Sequence, residues 1–333
     1  MLAYTRRGCA LARRVLEALP EAEGYTLERF APPGFRPIEA PSEDFYGGLF
    51  REKDALIFVG AAGIALRSVA PFVRDKRTDP AVLCLDEGGQ FVIPLLSGHI
   101  GGANALAREL AEKLGALPVV TTATDVNGRF SVDQWASERG CAIGDMAAAK
   151  AVSAAVLERD VPFTTPLPVT GPLPPGLVPG GGGELGIYIG YDLASPFART
   201  LRLIPRMLRL GLGCRRGTGA AALREAVEAV FREKGLDLRA VKRAASIDLK
   251  AGEPGLLEYC GQMGWTPRFY TAEQLRAVPG EFASSALVEH VTGVGNVCER
   301  AAMLGAARLV VPKTARNGVT VAVAAENWEV RFG

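Results

Sequence analysis

The sequence predicts an α/β protein with two sheet-containing domains and a linker region between them. Three observations lead to this prediction. Short apolar runs alternate with segments of helical spacing through the first 140 residues, a stretch rich in proline and glycine interrupts the pattern, and mixed strands and helices resume near residue 200. Because 333 residues suffice for about two domains, we expect an N-terminal α/β domain at 1–140, a middle helix and linker region at 141–200, and a smaller α/β domain at 201–333.

Six apolar runs predict strands in the N-terminal domain, at 1–4, 25–30, 55–60, 81–85, 91–96 and 118–121. The segments between them carry helical patterns and predict helices on both faces of one sheet, at 9–19, 42–51, 63–69, 101–114 and 131–139. The acidic and glycine residues at 86–89 look like a hairpin loop between two strands. Part of this sheet is therefore expected to be antiparallel.

The middle of the chain carries weaker signals. A helix is predicted at 147–157, and the seven prolines and many glycines of 162–183 have no apolar period, so this stretch is interpreted as a linker. Ordered segments follow at 185–191 and 201–210, with a strongly patterned helix at 219–234. Mixed strands and helices then extend to 319–324 and 328–332, which completes the second α/β domain.

Composition excludes several classes of protein. Hydrophobic residues make up 48% of the chain and charged residues 22%, with a formal net charge of +2, which argues against disorder and gives no strong attraction to nucleic acid. The six cysteines are scattered, none closer together than Cys260 and Cys298, so no zinc-binding spacing exists and reduced thiols are expected. The most hydrophobic run, at 55–66, is too short to span a bilayer. We expect a cytoplasmic protein that contacts no membrane.

The richest segment for chemistry follows the apolar run at 91–96, where Ser97, Gly98, His99, Gly101 and Gly102 precede a helix. Glycines let a backbone approach a ligand closely, and amides at a helix start favour an anion or a developing oxyanion. His99 has the side chain best suited to general acid–base work near neutral pH. An ordinary turn, with glycines that serve only packing, is the alternative interpretation.

A second polar segment, at 121–125, ends in Asp125 and follows another predicted strand. Its hydroxyl groups are expected to bind polar substituents or to hold a proton-transfer group, with helix capping as the alternative. Capping is the better explanation for Ser131. Ligands of open α/β sheets gather at the carboxyl ends of strands, which is where these segments lie.

The second domain has three polar turns. The segment at 211–219 contains Cys214, Arg215, Arg216 and Thr218, and it leads from a strand into a helix, which is typical of anion capture by guanidinium groups. Cys214 is either a nucleophile whose pKa is lowered by those cations or a packed thiol. The other two turns are the charged segment at 246–255 and the glycine loop at 291–299. Neither His99 nor His290 can anchor a histidine-rich metal site.

A series of motifs, spread in order over nearly the whole chain, resembles those of the cobalt-precorrin-5A hydrolase family, CbiG, of anaerobic cobalamin biosynthesis. The N-terminal motifs lie at 60–67, at 79–82 with Lys76, at 96–104 and at 121–125; those at 211–218, 246–253 and 291–299 resemble its C-terminal domain, which also occurs separately as a CobE-type domain. The resemblance implies opening of the ring A δ-lactone of cobalt-precorrin-5A and loss of acetaldehyde to give cobalt-precorrin-5B. Cobalt would arrive within the substrate, so no separate cofactor or protein metal site is expected.

The resemblance and the residues together give a mechanistic hypothesis. His99, aligned by Asp86 or Asp125, activates water for attack on the lactone, amides at Gly101 and Gly102 stabilise the oxyanion, and Ser97 completes the predicted catalytic set. Substrate carboxylates are expected between the domains; the predicted binding residues, beside those two glycines, are Asn104, Cys214, Arg215, Arg216, Thr218, Lys250, Thr292 and Gly293.

The expected partner is a corrinoid small molecule, and the sequence leaves open a homodimer and transient contacts with other enzymes of the pathway. Two alternatives also stay open. One is a noncatalytic corrinoid carrier or scaffold of the same pathway. The other is a hydrolase or transferase that acts on a smaller anionic substrate through Cys214.

Overall fold

In the computed structural model the chain forms two compact units, Met1–Ser137 and Glu138–Gly333. The structure describes residues 1–39, 41–75, 78–283 and 286–332. Both units combine strands with helices, so the predicted α/β class is confirmed.

Unit 1 is built on one seven-stranded sheet. Its strands are β1 (Leu2–Ala3), β2 (Gly24–Thr26), β3 (Phe35–Pro37), β4 (Ala55–Val59), β5 (Ala81–Leu85), β6 (Phe91–Leu96) and β7 (Leu117–Pro118), in the order β3-β2-β1-β4-β5-β6-β7. Its helices are α1 (Arg6–Ala18), α2 (Ser42–Glu52), α3 (Ala62–Val69), α4 (Ala103–Leu114), α5 (Ala123–Val126) and α6 (Val132–Glu138).

The direction of the strands changes once across this sheet. Strands β1 to β5 are parallel, β6 pairs antiparallel with β5 through the predicted hairpin, and β7 runs parallel to β6. The carboxyl ends of β6 and β7 therefore lie at the sheet edge opposite to the carboxyl ends of β1, β4 and β5. Segments that each follow a strand in the sequence, such as those after β4 and after β6, therefore lie at opposite edges of the sheet.

Alternating strand residues build a core on each face of the sheet. Ile57 and Leu83 pack on one face with residues of α1 and α4, whereas Phe58 and Val82 pack on the other with residues of α2 and α3. This alternation follows from the two-residue period of a strand and fixes which helix covers which face. Leu110 of α4 is fully buried, and burial of one such side chain stabilises the fold by about 1.5–3 kcal/mol.

Unit 2 begins with a five-stranded sheet that contains most of the predicted linker region. Its elements are β8 (Cys141–Ile143), α7 (Met146–Glu158), β9 (Val161–Thr164), β10 (Val169–Thr170), β11 (Leu177–Pro179), β12 (Leu185–Ile189) and β13 (Arg199–Pro205). The strand order is β11-β9-β12-β13-β8, and β10 lies outside this sheet. The stretch at 162–183 is thus not a linker: Pro162 occupies an interior strand, where proline normally argues against strand structure because it lacks a donor.

The second sheet of unit 2 has the order β16-β15-β14-β18-β17. Its strands are β14 (Leu208–Cys214), β15 (Val241–Ile247), β16 (Arg268–Tyr270), β17 (Arg308–Arg316) and β18 (Val319–Ala325), and the last strand of the chain is β19 (Val330–Arg331). Its helices are α8 (Ala220–Glu233), α9 (Pro254–Gln262), α10 (Ala272–Arg276), α11 (Ala286–Thr292) and α12 (Val297–Met303). Strand β19 pairs with β10 rather than with this sheet.

Helix α12 lies directly against β14 at Gly211. A Cβ atom added at Gly211 would come within 1.8 Å of the backbone oxygen of Cys298, a distance that no side chain can tolerate. Glycine is therefore required at this position for close approach of the helix to the sheet.

Candidate active site

His99 lies in a tight loop between β6 and α4. Ser97 begins this loop with a left-handed backbone, φ 56°, and its buried hydroxyl donates to the backbone oxygen of Asp79 at 2.9 Å. This bond ties the loop to the segment that precedes β5. Because the Ser97 hydroxyl donates there, its visible role is to shape the loop, and its catalytic role stays a prediction.

Two glycines allow the loop to close on itself. A Cβ atom at Gly101 would lie 2.4 Å from the Cβ atom of Ser97, and Gly102, at φ 81°, is the left-handed N-cap of α4. Both positions need glycine, one for space and the other for its backbone angle. The close packing of these glycines, together with the hydrogen bond from Ser97 to Asp79, therefore fixes the loop that presents His99.

The amides at the start of α4 are mostly engaged within the loop. The Gly102 amide donates to the His99 oxygen at 3.0 Å, and the Ala103 amide donates to the Ser97 oxygen at 3.1 Å. The Gly101 amide has no backbone acceptor among the residues that the structure describes. The predicted pair of oxyanion donors is corrected accordingly: Gly101 stays available and Gly102 does not.

His99 is hydrogen-bonded to Asp125, which follows β7 at the same edge of the sheet. Their Nε2 and Oδ2 atoms are 3.0 Å apart, and the side chains are 16% and 9% exposed. Because an ionised carboxylate only accepts hydrogen bonds, Nε2 carries a proton in this arrangement, and in the neutral imidazole the lone pair is then on Nδ1. The pair can thus orient an imidazole and stabilise the cation that forms when it gains a proton.

Asp125 also accepts hydrogen bonds from two residues of α4. The Nδ2 atom of Asn104 donates to Oδ2 at 3.0 Å and to the Thr122 hydroxyl at 2.9 Å, while the Arg108 guanidinium donates to Oδ1. Burial raises the pKa of Asp125, but the hydrogen bonds from Arg108 and His99 outweigh it, so the pKa lies below its ordinary value. Asp125 is therefore held ionised beside His99.

Asn104 is only 2% exposed, which corrects its prediction as a substrate-binding residue. Its buried amide orients Asp125 instead. Arg108 was missed, although its position was readable from the sequence: residues four apart on a helix share a face, so any site that includes Asn104 also receives Arg108.

Two hydroxyl groups border the His99 ring. The Ser131 Oγ atom lies 3.1 Å from Nδ1 and 3.4 Å from Nε2, and the Thr124 Oγ1 atom lies 3.4 Å from Nε2. The Ser131 hydroxyl is thus within hydrogen-bonding distance of Nδ1, the ring nitrogen that does not face Asp125. Ser131 precedes α6, as expected for a capping residue, but its contact with His99 had no signal in the local sequence.

Asp86 does not reach His99. Its carboxylate accepts the amides of Gly88, Gln90 and Phe91 at 2.7–2.9 Å and thereby organises the hairpin between β5 and β6. This hairpin lies at the opposite sheet edge, because β6 runs back across the sheet before His99. Of the two carboxylates predicted as partners of His99, the structure places only Asp125 beside it.

A second polar cluster lies at the carboxyl ends of β14 and β15 in unit 2. Buried Glu253 accepts the Gly217 amide at 2.6 Å and the Lys250 ammonium at 3.0 Å. The Lys250 ammonium, then the Gly217 amide, lower the pKa of Glu253. Lys250 is thus already neutralised by a carboxylate, which corrects its prediction as a substrate anchor.

The Cys214 thiol borders this cluster but is not activated by it. Burial raises the pKa of Cys214, and the opposing effect of Lys250 does not outweigh burial. Of the two interpretations of Cys214, this raised pKa favours the packed thiol, and the side chain is half-buried at the end of β14.

The remaining predicted binding residues of unit 2 divide into two groups. Arg215 and Arg216 are exposed and form no ion pair with any described residue. The Thr218 and Thr292 hydroxyls donate to nearby backbone oxygens, and Gly293 has a left-handed backbone, φ 72°, so these residues shape their turns. Thr292 makes a further interaction.

Lys76, which belongs to one of the N-terminal sequence motifs, lies outside the residues that the structure describes. Within 1–39, 41–75, 78–283 and 286–332, no group of three or more His, Cys, Asp or Glu side chains is arranged to hold a metal ion. In the same ranges, no helix has both the length and the apolar character needed to cross a bilayer.

Fold and site together define a class of two-unit α/β proteins in which a histidine–aspartate pair sits on one unit and exposed arginines on the other. Two family models match the chain: Cobalamin synthesis G N-terminal at residues 44–125, which include His99 and Asp125, and Cobalamin synthesis G C-terminus at residues 208–324. The chain belongs to this family, cobalamin synthesis protein G or CbiG, as its sequence motifs predicted.

Three relatives show the extent of the similarity. The cobalt-precorrin-5A hydrolase of Salmonella typhimurium is 35% identical, over 96% of this chain and 95% of that protein. The cobalt-precorrin-5A hydrolase of Priestia megaterium is 31% identical, over 97% and 94%. Protein CobE of a Sinorhizobium species is 34% identical over 35% of this chain and 79% of its own length, which confirms the CobE-like part.

Proposed function

We propose that the chain is a hydrolase of cobalamin biosynthesis that opens the ring A δ-lactone of cobalt-precorrin-5A and releases acetaldehyde, leaving cobalt-precorrin-5B. Two relatives named as cobalt-precorrin-5A hydrolases and matched over nearly their full length support this substrate. The observation that carries the chemistry is the 3.0 Å hydrogen bond between His99 and Asp125.

His99 Nδ1 is the proposed general base. Asp125 holds the proton on Nε2, so the lone pair of Nδ1 takes a proton from water as the water oxygen attacks the lactone carbonyl. The imidazolium that forms is stabilised by the ionised Asp125 carboxylate, and the Gly101 amide is proposed to donate to the developing oxyanion.

The bond changes balance without any added oxidant or reductant. Water adds to the carbonyl carbon and the ester carbon–oxygen bond breaks, which gives a carboxylate and an alcohol. The alcohol then loses its proton, its carbon–oxygen bond becomes the carbonyl of acetaldehyde, and the neighbouring carbon–carbon bond breaks. The released electron pair passes to the electron-deficient cobalt-corrinoid ring of the substrate.

No cofactor beyond the substrate's own cobalt is proposed. Arg215 and Arg216 are proposed to bind carboxylates of a corrinoid in unit 2, because they are exposed and neither is within ion-pair distance of an acidic side chain among the described residues, although Arg216 is close enough to Glu253 to lower its pKa. Lys250 is omitted from this set since Glu253 already neutralises it.

The test is anaerobic incubation of the purified protein with cobalt-precorrin-5A, with acetaldehyde and the mass of the corrinoid product both measured. Stoichiometric acetaldehyde with the mass of cobalt-precorrin-5B, absent without protein, is the expected result. Tight corrinoid binding without fragmentation would overturn the proposal and favour the carrier alternative. A product that is ring-opened but still carries the two-carbon unit would confine the activity to lactone hydrolysis.

A further inference from the structure

The Arg108 guanidinium contacts the catalytic pair on one side and faces solvent on the other. It lies one helical turn beyond Asn104 on α4, and a terminal nitrogen of its guanidinium donates to Asp125 Oδ1. The Arg108 side chain is 44% exposed, whereas that of Asp125 is 9% exposed. The guanidinium therefore covers the buried carboxylate and presents its remaining surface outward.

This guanidinium has binding capacity that Asp125 does not use. An arginine offers five N–H donors in a planar fork, and Asp125 is the one hydrogen-bond acceptor of Arg108 among the residues that the structure describes. Of the two acidic residues on α4, Glu109 is bonded to Lys113, and Glu112, one turn after Arg108, forms no ion pair with it among the described residues. The outward donors of Arg108 have the geometry that suits a second, incoming carboxylate.

We propose that Arg108 is a substrate-binding residue whose outer edge binds a carboxylate substituent of the corrinoid while its inner nitrogen holds Asp125. Arg108 thereby sets the position of the macrocycle relative to His99 and selects substrates with an acidic side chain next to the reacting lactone. This inference rests on the proposed function, which supplies a polycarboxylate substrate.

A double-mutant cycle separates binding by Arg108 from its support of Asp125. Arg108→Gln is made in two backgrounds that do not turn over, His99→Ala and Asp125→Asn, and the Kd of cobalt-precorrin-5A is measured in each. Loss of one charge-assisted contact is expected to raise the Kd about ten-fold in both backgrounds. If Arg108 serves only to hold Asp125, the Kd rises in the His99→Ala background alone, which overturns the proposal.

Two further variants serve as controls for this double-mutant cycle. Lys113→Gln removes a cation from the same helix that pairs with Glu109 rather than Asp125, and it should leave the Kd unchanged. Arg108→Lys keeps the charge but loses the planar fork, so an intermediate Kd is expected. Should Asp125→Asn fail to fold, a wild-type-like Kd for Arg108→Gln in the His99→Ala background alone refutes the inference.

The outcome is distinguishable from failure of the proposed function. If the wild-type protein releases acetaldehyde but Arg108→Gln leaves Kd and KM unchanged, only the inference fails. If the wild-type protein binds the corrinoid without turnover, the proposed function fails and the binding cycle still decides the role of Arg108. If neither the wild-type protein nor any variant binds the corrinoid, both the proposed function and the inference about Arg108 fail.

Discussion

Replacing Asp125 with asparagine tests the proposed mechanism most directly. The carboxylate receives donors on both oxygens, His99 and Asn104 on Oδ2 and Arg108 on Oδ1. An asparagine keeps one acceptor oxygen and places a donor at the other position. The amide oxygen is expected at the Oδ2 position, because that orientation preserves two hydrogen bonds and loses only the bond to Arg108.

The two consequences of Asp125→Asn differ in size. The lost bond involves a half-exposed arginine, so the free energy of unfolding should fall by only about 1 kcal/mol. Turnover should fall at least about a hundred-fold, since a neutral amide cannot stabilise the imidazolium that general-base catalysis requires. Acetaldehyde release under single-turnover conditions measures the second effect, and urea unfolding measures the first.

Asp86→Asn is the matched control. It also converts a hydrogen-bonded carboxylate of unit 1 to an amide, with loss of one bond to a backbone amide of the hairpin, so its stability cost should be similar. Its turnover should equal that of the wild type. An Asp125→Asn protein that keeps turnover within three-fold of wild type, or an Asp86→Asn protein that loses as much, would refute the assignment of Asp125.

Four more outcomes are expected. His99→Ala should abolish acetaldehyde release while the Kd of the corrinoid changes by less than about three-fold, because the ring is proposed to act on water and not to anchor substrate. The stability difference between the wild type and Asp125→Asn should persist at neutral pH and shrink as the pH falls below about 4, because the unfolded chain binds a proton at the ordinary aspartate pKa while folded Asp125, whose pKa is lowered, binds it only at lower pH. Cys214→Ser should keep wild-type turnover, and iodoacetamide should not inhibit, because burial raises the pKa of that thiol. Gly211→Ala should lower the free energy of unfolding by about 3 kcal/mol or more, since its new methyl group would meet a backbone oxygen of α12 at 1.8 Å.

Each of these has a contradicting outcome. Residual turnover in His99→Ala would move the base elsewhere, and a stability difference that grows as the pH falls below about 4 would reverse the inferred direction of the Asp125 pKa. If iodoacetamide inactivates the wild-type protein but not the Cys214→Ser variant, the alternative in which Cys214 is the nucleophile is restored. Gly261→Ala, at an exposed helix position with open space, is the control for Gly211→Ala and should not destabilise.

The sequence predicted the position of the His99 loop better than the residues that surround it. The apolar run, the glycines and the helical spacing placed His99 correctly between β6 and α4, because these signals are local. The choice between Asp86 and Asp125 was not local. It depended on the reversal of β6, and although the hairpin was predicted, its consequence for which strand ends meet needed the complete sheet order.

The same limit explains the errors in the middle of the chain and in unit 2. Prolines such as Pro162 hid the strands at 161–179, because the sheet there tolerates residues that local propensity excludes. Lys250 and Cys214 looked reactive in isolation, but a glutamate three residues away neutralises the lysine and burial protonates the thiol. Charge and exposure are properties of the folded neighbourhood, which residue type alone does not reveal.

The pairing of β19 with β10 separates the end of the chain from the CobE-like domain. Strand β18 is the last strand along the chain that belongs to the five-stranded sheet of that domain, and the family match ends at residue 324, before β19 begins. Residues 330–331 instead pair with β10, 161 positions earlier in the chain, in a separate two-stranded sheet. The last strand therefore ties the C-terminal end of an otherwise self-contained module to the segment around β10, and a cut between β18 and β19 would break this covalent connection without removing a strand from the module.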